Sequence, residues 1–307
     1  MRAAGGSPMN APALTKHVPL PEVRRTRYGA FEVTPISPHI GAEIRGVDLS
    51  RPMTPELMAD IRAAWADWLV LVFRDQTLDR EAHKAFSRNF GRLHVHPMHH
   101  GRPDQDPEIL TVKTTAQSPF TAGEAWHTDV SCDPVPPLAS LLYITETPEC
   151  GGGDTLFANM YMAFEMLSPA MQGFLEGMWA VHDGALPYVG NYKSTPPEGG
   201  YPRTRHPVVT LHPDTGRKVL NVNSGFTTHI EGLHRWESRA LLDTCFGLLQ
   251  REPKLHCRVR WEPNTLTLWD NRCTQHHSVW DYYPFSRYGE RVSVLGDAAP
   301  GPAVPTA

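Results

Sequence analysis

Apolar positions at helical spacing mark two helices in the first third of the chain. Thr54-Pro55 combines an N-cap residue with a proline at the first helical position, which predicts a helix start. The apolar side chains that follow at helical spacing are Leu57, Met58, Ile61, Trp65 and Trp68. A second helix is predicted from Thr77 to Gly91. Between the two helices, the apolar run 69–73 predicts a buried strand.

The rest of the chain is rich in short strand patterns punctuated by proline and glycine. The predicted strands are Ile109–Lys113, Leu138–Thr145, Thr155–Ala158, Trp179–His182, Val208–His212, Val219–Val222, His256–Trp261, Thr265–Trp269 and Arg291–Leu295. Two further helices are predicted, one opening at Ser168-Pro169 and one from about Glu237 to Leu249. This pattern favours a mainly β sandwich, barrel or jelly roll with flanking helices.

The domain organisation follows from where these patterns begin and end. Residues 1–27 are rich in small and then basic residues and predict a loose N-terminal tail. Residues 28–298 are expected to form one domain, because a large all-β unit can exceed the usual length. Residues 299–307 are expected to be a C-terminal tail.

Composition excludes several classes of protein. With 29 Lys and Arg against 33 Asp and Glu, the chain has no basic excess for nucleic acid. Its longest uninterrupted apolar stretch, Trp68 to Phe73, is six residues, too short for a membrane span. The five cysteines are scattered without a CxxC pair, which argues against a disulfide scaffold or a structural zinc site. No signal-peptide pattern is visible, so we expect a cytoplasmic protein with reduced thiols.

The segment Trp126-His-Thr-Asp129 is the strongest chemical motif. In an extended chain, His127 and Asp129 point to the same side and can bind one metal ion. A third ligand is expected from His276, in a loop after the strand that ends at Trp269, and the adjacent His277 is the rival. Two histidines and a carboxylate form the facial triad of non-heme Fe(II) oxygenases. Catalytic zinc uses the same ligand types and stays open at this point.

Two arginines downstream predict anion binding. Arg287 and Arg291 are four residues apart and lie on the same face of an extended segment. The guanidinium fork suits carboxylate and sulfonate groups, so two arginines on one wall imply two anionic groups in the pocket. The alternative is a pair of solvated surface arginines.

Three other motifs have structural alternatives that we favour. The histidines at positions 94, 96, 99 and 100 could form a second metal site, but histidines in a loop more often supply hydrogen bonds and pocket walls. Gly151–Gly153 lacks the lysine and the βαβ context of a phosphate loop, so a tight turn is expected. Cys273 is expected to be a small core residue rather than a nucleophile.

These motifs together resemble the taurine dioxygenase/2,4-dichlorophenoxyacetate dioxygenase (TauD/TfdA) family. The resemblance rests on the run 126–129, the Gly-Gly-Gly-Asp-Thr turn 151–155, the stretch Trp269-Asp-Asn-Arg-x-Thr-Gln-His276 and Arg291. The early segments 40–48 and 86–91 match as well, so the likeness extends from about residue 30 to 298. It implies a double-stranded β-helix, a cupin-like jelly roll, that uses Fe(II), 2-oxoglutarate and O₂. A dimer or tetramer is also implied.

The resemblance assigns roles to individual residues. It implies that His127, Asp129 and His276 bind the metal, and that Thr155 and Arg287 bind 2-oxoglutarate. It places Arg291, His96 and His99 at the substrate. His99 stands where the taurine enzyme has a tyrosine, and the segment 121–125 lacks the asparagine that this enzyme uses.

The activity implied is hydroxylation of a C–H bond in a small anionic substrate, with release of succinate and CO₂. A sulfonate such as taurine or an alkyl sulfate is expected, and C–S or C–O cleavage would follow hydroxylation. One alternative is the same chemistry on a carboxylate, amino-acid-derived or aryloxy acid, in catabolism or natural-product biosynthesis. A remote alternative is a jelly-roll metal-binding protein without oxygenase activity.

Overall fold

Fifteen short strands form most of the regular structure in the computed structural model, which describes residues 28–97 and 106–303. In chain order they are β1 (Glu32–Pro35), β2 (Ala42–Arg45), β3 (Val70–Phe73), β4 (Leu110–Thr114), β5 (Ala139–Glu146), β6 (Thr155–Asn159), β7 (Trp179–Asp183), β8 (Arg203–Pro207), β9 (Val209–Leu211), β10 (Lys218–Leu220), β11 (Thr227–Ile230), β12 (His256–Val259), β13 (Thr265–Asp270), β14 (Thr274–Ser278) and β15 (Arg287–Val294). The predicted mainly β class is confirmed.

The strands form one large sheet and a smaller sheet that together enclose the cavity described below. The large sheet has the order β1-β2-β3-β13-β5-β15-β4, and only the β2–β3 pair is parallel. The smaller sheet has the order β12-β6-β14 and is antiparallel. Side chains from β15 of the large sheet and from β6 and β14 of the small sheet line one cavity. This arrangement is the jelly roll that the resemblance implied. Two further small sheets, β11-β7-β8 and β10-β9, extend the structure beside it.

Five α-helices flank the sheets within the described residues. They are α1 (Pro55–Trp68), α2 (Arg80–Arg88), α3 (Met160–Glu165), α4 (Pro169–Leu175) and α5 (Arg235–Arg251). Thr54 and Ser168 cap α1 and α4 through their hydroxyls, as the cap-then-proline pattern predicts. The predicted start of α2 at Thr77 is wrong, because Asp79 accepts the capping hydrogen bond from the Ala82 amide. No helix among the described residues is both long and apolar enough to traverse a bilayer.

Two apolar clusters bury the faces of the large sheet. One lies between this sheet and the helices α1 and α2, and it contains Ile61, Trp65, Phe73 and Phe86. The other continues through the small sheet to α3 and α5 and contains Phe157. The large sheet is therefore covered on both faces, and its central strands β3 and β13 are buried throughout.

Several strands were not predicted from the sequence. The strands β1, β2, β8 and β11 are only four or five residues long, and each carries polar or exposed positions. The prediction that His276 lies in a loop is wrong, because it lies in the middle of β14, paired with Phe157 on β6. In the predicted C-terminal tail, the Gly301 carbonyl accepts from the Leu211 amide and the Ala303 amide donates to the Val209 carbonyl, so this segment runs along β9.

Candidate active site

The main chains of His127 and His276 are joined by two hydrogen bonds. The His127 amide donates to the His276 carbonyl over 3.1 Å, and the His276 amide donates back over 2.8 Å. Asp129 lies two residues farther along the chain, at the start of a turn, and its Oδ1 is 3.8 Å from His127 Nε2 and 3.9 Å from His276 Nε2. One donor atom from each of the three side chains lies within 4.8 Å of the others. The three predicted metal ligands thus come together.

Both imidazoles are prepared to act as neutral ligands. Burial lowers the pKa of His127, although Asp129 opposes this effect. Burial, followed by the neighbouring His127, holds the pKa of His276 well below its ordinary value. His127 Nδ1 is 2.8 Å from the Ala125 carbonyl and donates to it in the neutral form, which leaves the lone pair on Nε2 for a metal. Two neutral nitrogens and one carboxylate oxygen suit a divalent transition metal such as Fe(II).

Asp129 is held ionised by the groups around it. Burial opposes its ionisation, but the Arg291 guanidinium and the hydrogen bond from Ser140 outweigh this effect and hold its pKa well below the usual range. Arg291 donates from Nη1 to Asp129 Oδ1, and Ser140 donates from Oγ to Asp129 Oδ2 over 2.7 Å. The carboxylate is therefore fixed through both oxygens.

The sequence did not predict a chain of hydrogen bonds that supports the Asp129 carboxylate through Ser140. Trp269 Nε1 donates to Asn271 Oδ1 over 3.0 Å, and Asn271 Nδ2 donates to Ser140 Oγ over 2.9 Å. Because Ser140 Oγ accepts from Asn271, its own hydrogen is directed to Asp129. Trp269 and Asn271 belong to the quoted 269–276 motif, but nothing in the sequence indicated that Ser140 lies beside them.

Arg287 and Thr155 are both neighbours of Ser278, which pairs with Thr155 in the small sheet and accepts a hydrogen bond from Arg287. Arg287 is 2% exposed, donates from Nη1 to the Gly153 carbonyl, and is bonded from Nη2 to Ser278 Oγ at 3.1 Å. Its Nε is buried and has no partner in the described part of the chain. Burial lowers the pKa of Arg287, and no carboxylate among the described residues forms an ion pair with it. Thr155 Oγ1 accepts a hydrogen bond from Trp261 Nε1 at 2.9 Å.

One cavity connects these groups and opens to solvent. Its volume is about 110 Å³. The predicted site residues that line it are His96, His127, Asp129, Thr155, His276, Arg287 and Arg291. His99 lies outside the described residues. The prediction that the two arginines are on one wall agrees with their positions on β15, and the surface-arginine alternative is wrong, because both are buried.

The other candidate motifs have structural roles and do not contribute to this cavity. His277 lies on the opposite face of β14 from His276, against Trp126, and does not line the cavity. His94 points away to Asp133, with 3.0 Å between Nε2 and Oδ2, so it does not form a metal site with His96. Gly151–Gly153 form the turn before β6, and Cys273 is a buried core residue.

A second group of metal-ligating residues, His212, Asp270 and Cys273, is fully buried. Asp270 there accepts hydrogen bonds from Arg272, and its Oδ2 is 3.0 Å from His212 Nε2. Burial raises the pKa of Cys273 well above its ordinary value. With its carboxylate neutralised by Arg272 and its thiol protonated, this group is a structural hydrogen-bond network.

Comparison with known proteins agrees with this geometry. The family model described as taurine catabolism dioxygenase TauD, TfdA family, matches residues 32–293. The chain is 37% identical over 274 residues to the alpha-ketoglutarate-dependent dioxygenase cnsM of Penicillium expansum, covering 84% of this chain and 76% of that protein. It is 33% identical over 282 residues to an alpha-ketoglutarate-dependent sulfonate dioxygenase of Saccharomyces cerevisiae, covering 86% and 67%.

A solved structure gives the same result for the fold. The crystal structure of a taurine dioxygenase from Burkholderia xenovorans superposes with a TM-score of 0.77 at 36% sequence identity, covering 89% of this chain and 94% of that one. The family match spans both sheets and every described residue of the predicted site. The chain therefore belongs to the TauD/TfdA family and is a 2-oxoglutarate-dependent, non-heme iron dioxygenase.

Proposed function

We propose that His127, Asp129 and His276 hold the Fe(II) ion of this enzyme. The observation that carries this assignment is the convergence of their donor atoms on one point of the cavity wall. The neutral imidazoles and the ionised carboxylate are the protonation states that a metal ion requires. Three ligands on one side leave the other coordination positions for a co-substrate and O₂.

Arg287 and Thr155 are the proposed partners of 2-oxoglutarate. A dicarboxylate bound at the metal through one end needs a cation for its other end, and Arg287 is a buried guanidinium without a carboxylate partner. Ser278 and the Gly153 carbonyl hold this guanidinium in place before the ligand binds. Thr155 Oγ1 accepts its hydrogen bond from Trp261, so its own hydrogen is available to a carboxylate oxygen.

Arg291, His96 and His99 are proposed to bind the anionic group of the substrate, a sulfonate or an alkyl sulfate. Arg291 lies in the same cavity as Arg287 but on the Asp129 side, so the cavity offers a second cation for a second anion. The yeast relative is named a sulfonate dioxygenase. With Fe(II), 2-oxoglutarate and O₂ bound, the chemistry supplied is hydroxylation of a C–H bond, with release of succinate and CO₂. A sulfonate or sulfate ester on the hydroxylated carbon would then leave and give a carbonyl product.

We also propose a reducing, cytoplasmic location and keep the dimer or tetramer as a prediction. All five cysteines are free, and four of them are buried, which is typical of proteins that keep their thiols reduced. Sedimentation analysis of the purified chain measures its oligomeric state.

The test is anaerobic addition of Fe(II) and 2-oxoglutarate to the metal-free protein. We expect a weak visible charge-transfer band in the wild type, its loss in His127→Ala, and a rise in the 2-oxoglutarate concentration needed for it in Arg287→Ala. Arg80→Ala is the matched control, because Arg80 pairs with Glu290 of the same strand but lies outside the cavity. A folded wild type that forms no band contradicts the proposal.

A further inference from the structure

A π-helix, Leu186–Asn191, forms part of the cavity wall facing the predicted metal ligands. The Tyr192 amide donates to the Pro187 carbonyl over 2.9 Å, which is the i to i+5 bond of this helix type. Pro187, Tyr188, Asn191 and Tyr192 all line the cavity. π-Helical turns often occur at functional sites, so we expect residues of this wall to contact a ligand.

The backbone of this segment is firmly held. The Tyr188 carbonyl accepts hydrogen bonds from the Ser194 amide at 2.9 Å and from the Ser194 hydroxyl at 2.6 Å. The Tyr192 hydroxyl accepts from the Gly123 amide at 2.9 Å, and Gly123 packs directly on the His127 ring. The wall is therefore fixed relative to the metal ligands, and a side chain on it has a defined position.

Tyr188 forms part of the cavity wall, and its hydroxyl lies beside His96. Its side chain is 3% exposed, and its ring meets those of His96 and Phe226 edge-on at 5.7 and 5.8 Å. Its Oη is 3.5 Å from His96 Nε2, at the outer limit of hydrogen-bond distance. Burial raises the pKa of Tyr188 well above its ordinary value, so the hydroxyl is neutral and can donate. Because the contact with His96 is so long, the hydroxyl hydrogen of Tyr188 is available to a bound ligand.

The charges around Tyr188 indicate what that ligand is. Arg291 and His96, which are both proposed to bind the anionic group, line the same cavity as Tyr188. A guanidinium fork binds two oxygens of an anion. A carboxylate has no further oxygen, whereas a sulfonate or sulfate ester has a third one that needs its own donor when it is buried.

We propose that Tyr188 is a specificity-determining residue that donates its hydroxyl hydrogen to the third oxygen of a sulfonate or sulfate ester bound by Arg291. This inference rests on the proposed function, because it assumes that Arg291 binds the anionic group. It predicts that the site prefers a tetrahedral sulfur head group over a carboxylate of the same chain length. The body of such a substrate would pack on Tyr188, Tyr192 and Phe226. Apart from Asp129, no carboxylate lines the described part of the cavity, so an uncharged body is favoured over an ammonium group.

The test compares three probes of similar length: hexyl sulfate, hexane-1-sulfonate and heptanoate. Their dissociation constants are measured without O₂, from the change that each causes in the visible band of the Fe(II)–2-oxoglutarate complex. For Tyr188→Phe we expect both sulfur probes to bind about tenfold more weakly, because a hydrogen bond to a charged group is lost. Heptanoate binding should change by less than about twofold.

Tyr201→Phe is the matched control. Tyr201 packs on Tyr188 with 4.7 Å between ring centroids, but its hydroxyl bonds to Ser194 and it does not line the cavity. This variant should bind all three probes like the wild type. Equal weakening of all three probes in Tyr188→Phe, or of none, overturns the inference.

The outcomes also separate this inference from the proposed function. A wild type that forms the visible band but binds neither sulfur probe overturns the role of Tyr188 and leaves the cofactor assignment standing. A wild type that forms no band contradicts the cofactor assignment itself.

Discussion

Ser140 Oγ lies 2.7 Å from Asp129 Oδ2 and donates to the carboxylate oxygen that Arg291 does not hold. Ser140 is on β5, in the centre of the large sheet, eleven residues beyond Asp129 in the chain. The bond therefore connects a proposed metal ligand to a buried, interior strand of the large sheet. Asn271 and Trp269 extend it by two further hydrogen bonds.

We expect Ser140→Ala to weaken Fe(II) binding by about tenfold, because the loss of an outer partner lets the ligating carboxylate rotate. Metal titration of the metal-free protein measures this effect. Ser293→Ala is the control: Ser293 Oγ is 3.2 Å from Ser140 Oγ and does not bond to Asp129. Unchanged Fe(II) affinity in Ser140→Ala would show that Arg291 alone suffices to orient the carboxylate.

The adjacent histidines of β14 give a sharp test of the metal site. We expect His276→Ala to abolish Fe(II) binding, because one of three protein ligands is lost, and His277→Ala to retain it. The two side chains lie on opposite faces of one strand, so the pair controls for damage to the sheet. Metal content after dialysis against Fe(II) is the measurement. Retained stoichiometric iron in His276→Ala contradicts the assignment.

Buried His83 predicts acid sensitivity of the fold. Burial lowers its pKa to about 4, although a hydrogen bond to the Leu141 carbonyl and the charge of Glu290 oppose this shift. The unfolded chain therefore binds a proton that the folded chain excludes. The contribution of His83 to the free energy of unfolding is complete above pH 6.5 and is lost as the pH falls from 6.5 to 4. The loss amounts to about 3 kcal/mol for this group.

His83→Gln keeps a donor for the Leu141 carbonyl and removes the titrating ring. We expect the difference in unfolding free energy between pH 7.5 and pH 5 to shrink in this variant. Urea denaturation at the two values measures it. His229→Gln, at a half-exposed position, is the control and should leave the pH dependence as in the wild type. If His83→Gln and the wild type lose the same unfolding free energy between pH 7.5 and pH 5, burial of His83 does not cause the acid sensitivity.

Gly225 approaches His127, a proposed metal ligand, so closely that a side chain there has no room. A Cβ atom at this position would lie 2.7 Å from the Cβ atom of His127, which is too close for any real contact. We expect Gly225→Ala to displace His127 and to weaken Fe(II) binding by tenfold or more. Metal titration of the folded variant is the measurement.

Gly173→Ala provides the matching substitution at an open site. Gly173 lies in α4 with nothing within 4 Å of a new Cβ atom. Alanine should stabilise the protein there by about 0.5–1 kcal/mol, because glycine is a poor helix former. Its Fe(II) binding should equal that of the wild type. If Gly225→Ala also binds Fe(II) normally, the close approach does not constrain His127.

The sequence predicted those parts of the site that depend on local geometry. His127 and Asp129 were predicted to share one metal ion because an extended chain points alternate residues to one side. Arg287 and Arg291 were predicted to share one wall because they lie on one strand face. The buried strands β3 and β13 were found from their apolar runs. Each of these signals lies within one short segment.

The parts that the sequence did not predict depend on contacts between distant segments. Ser140 lies beside Asn271 and Ser293 because β5 lies between β13 and β15 in the sheet, and no local pattern indicates that it also reaches Asp129. Tyr188 enters the cavity through a π-helix, which has no pattern of its own in the sequence. β14 was missed because its buried face is polar and carries His276, so it lacks the alternation of apolar residues that marks a strand.

The paired main-chain bonds between His127 and His276 have a consequence for metal selectivity. They set the spacing of the two imidazoles through the backbone, independently of which ion is present. A donor set fixed in this way accepts any divalent ion of similar size and follows the general order of affinities, in which Zn²⁺ and Cu²⁺ bind more tightly than Fe²⁺. For the proposed site, we therefore expect iron occupancy to depend on which metals the cell supplies, and we expect Zn²⁺ and Cu²⁺ to inhibit the enzyme.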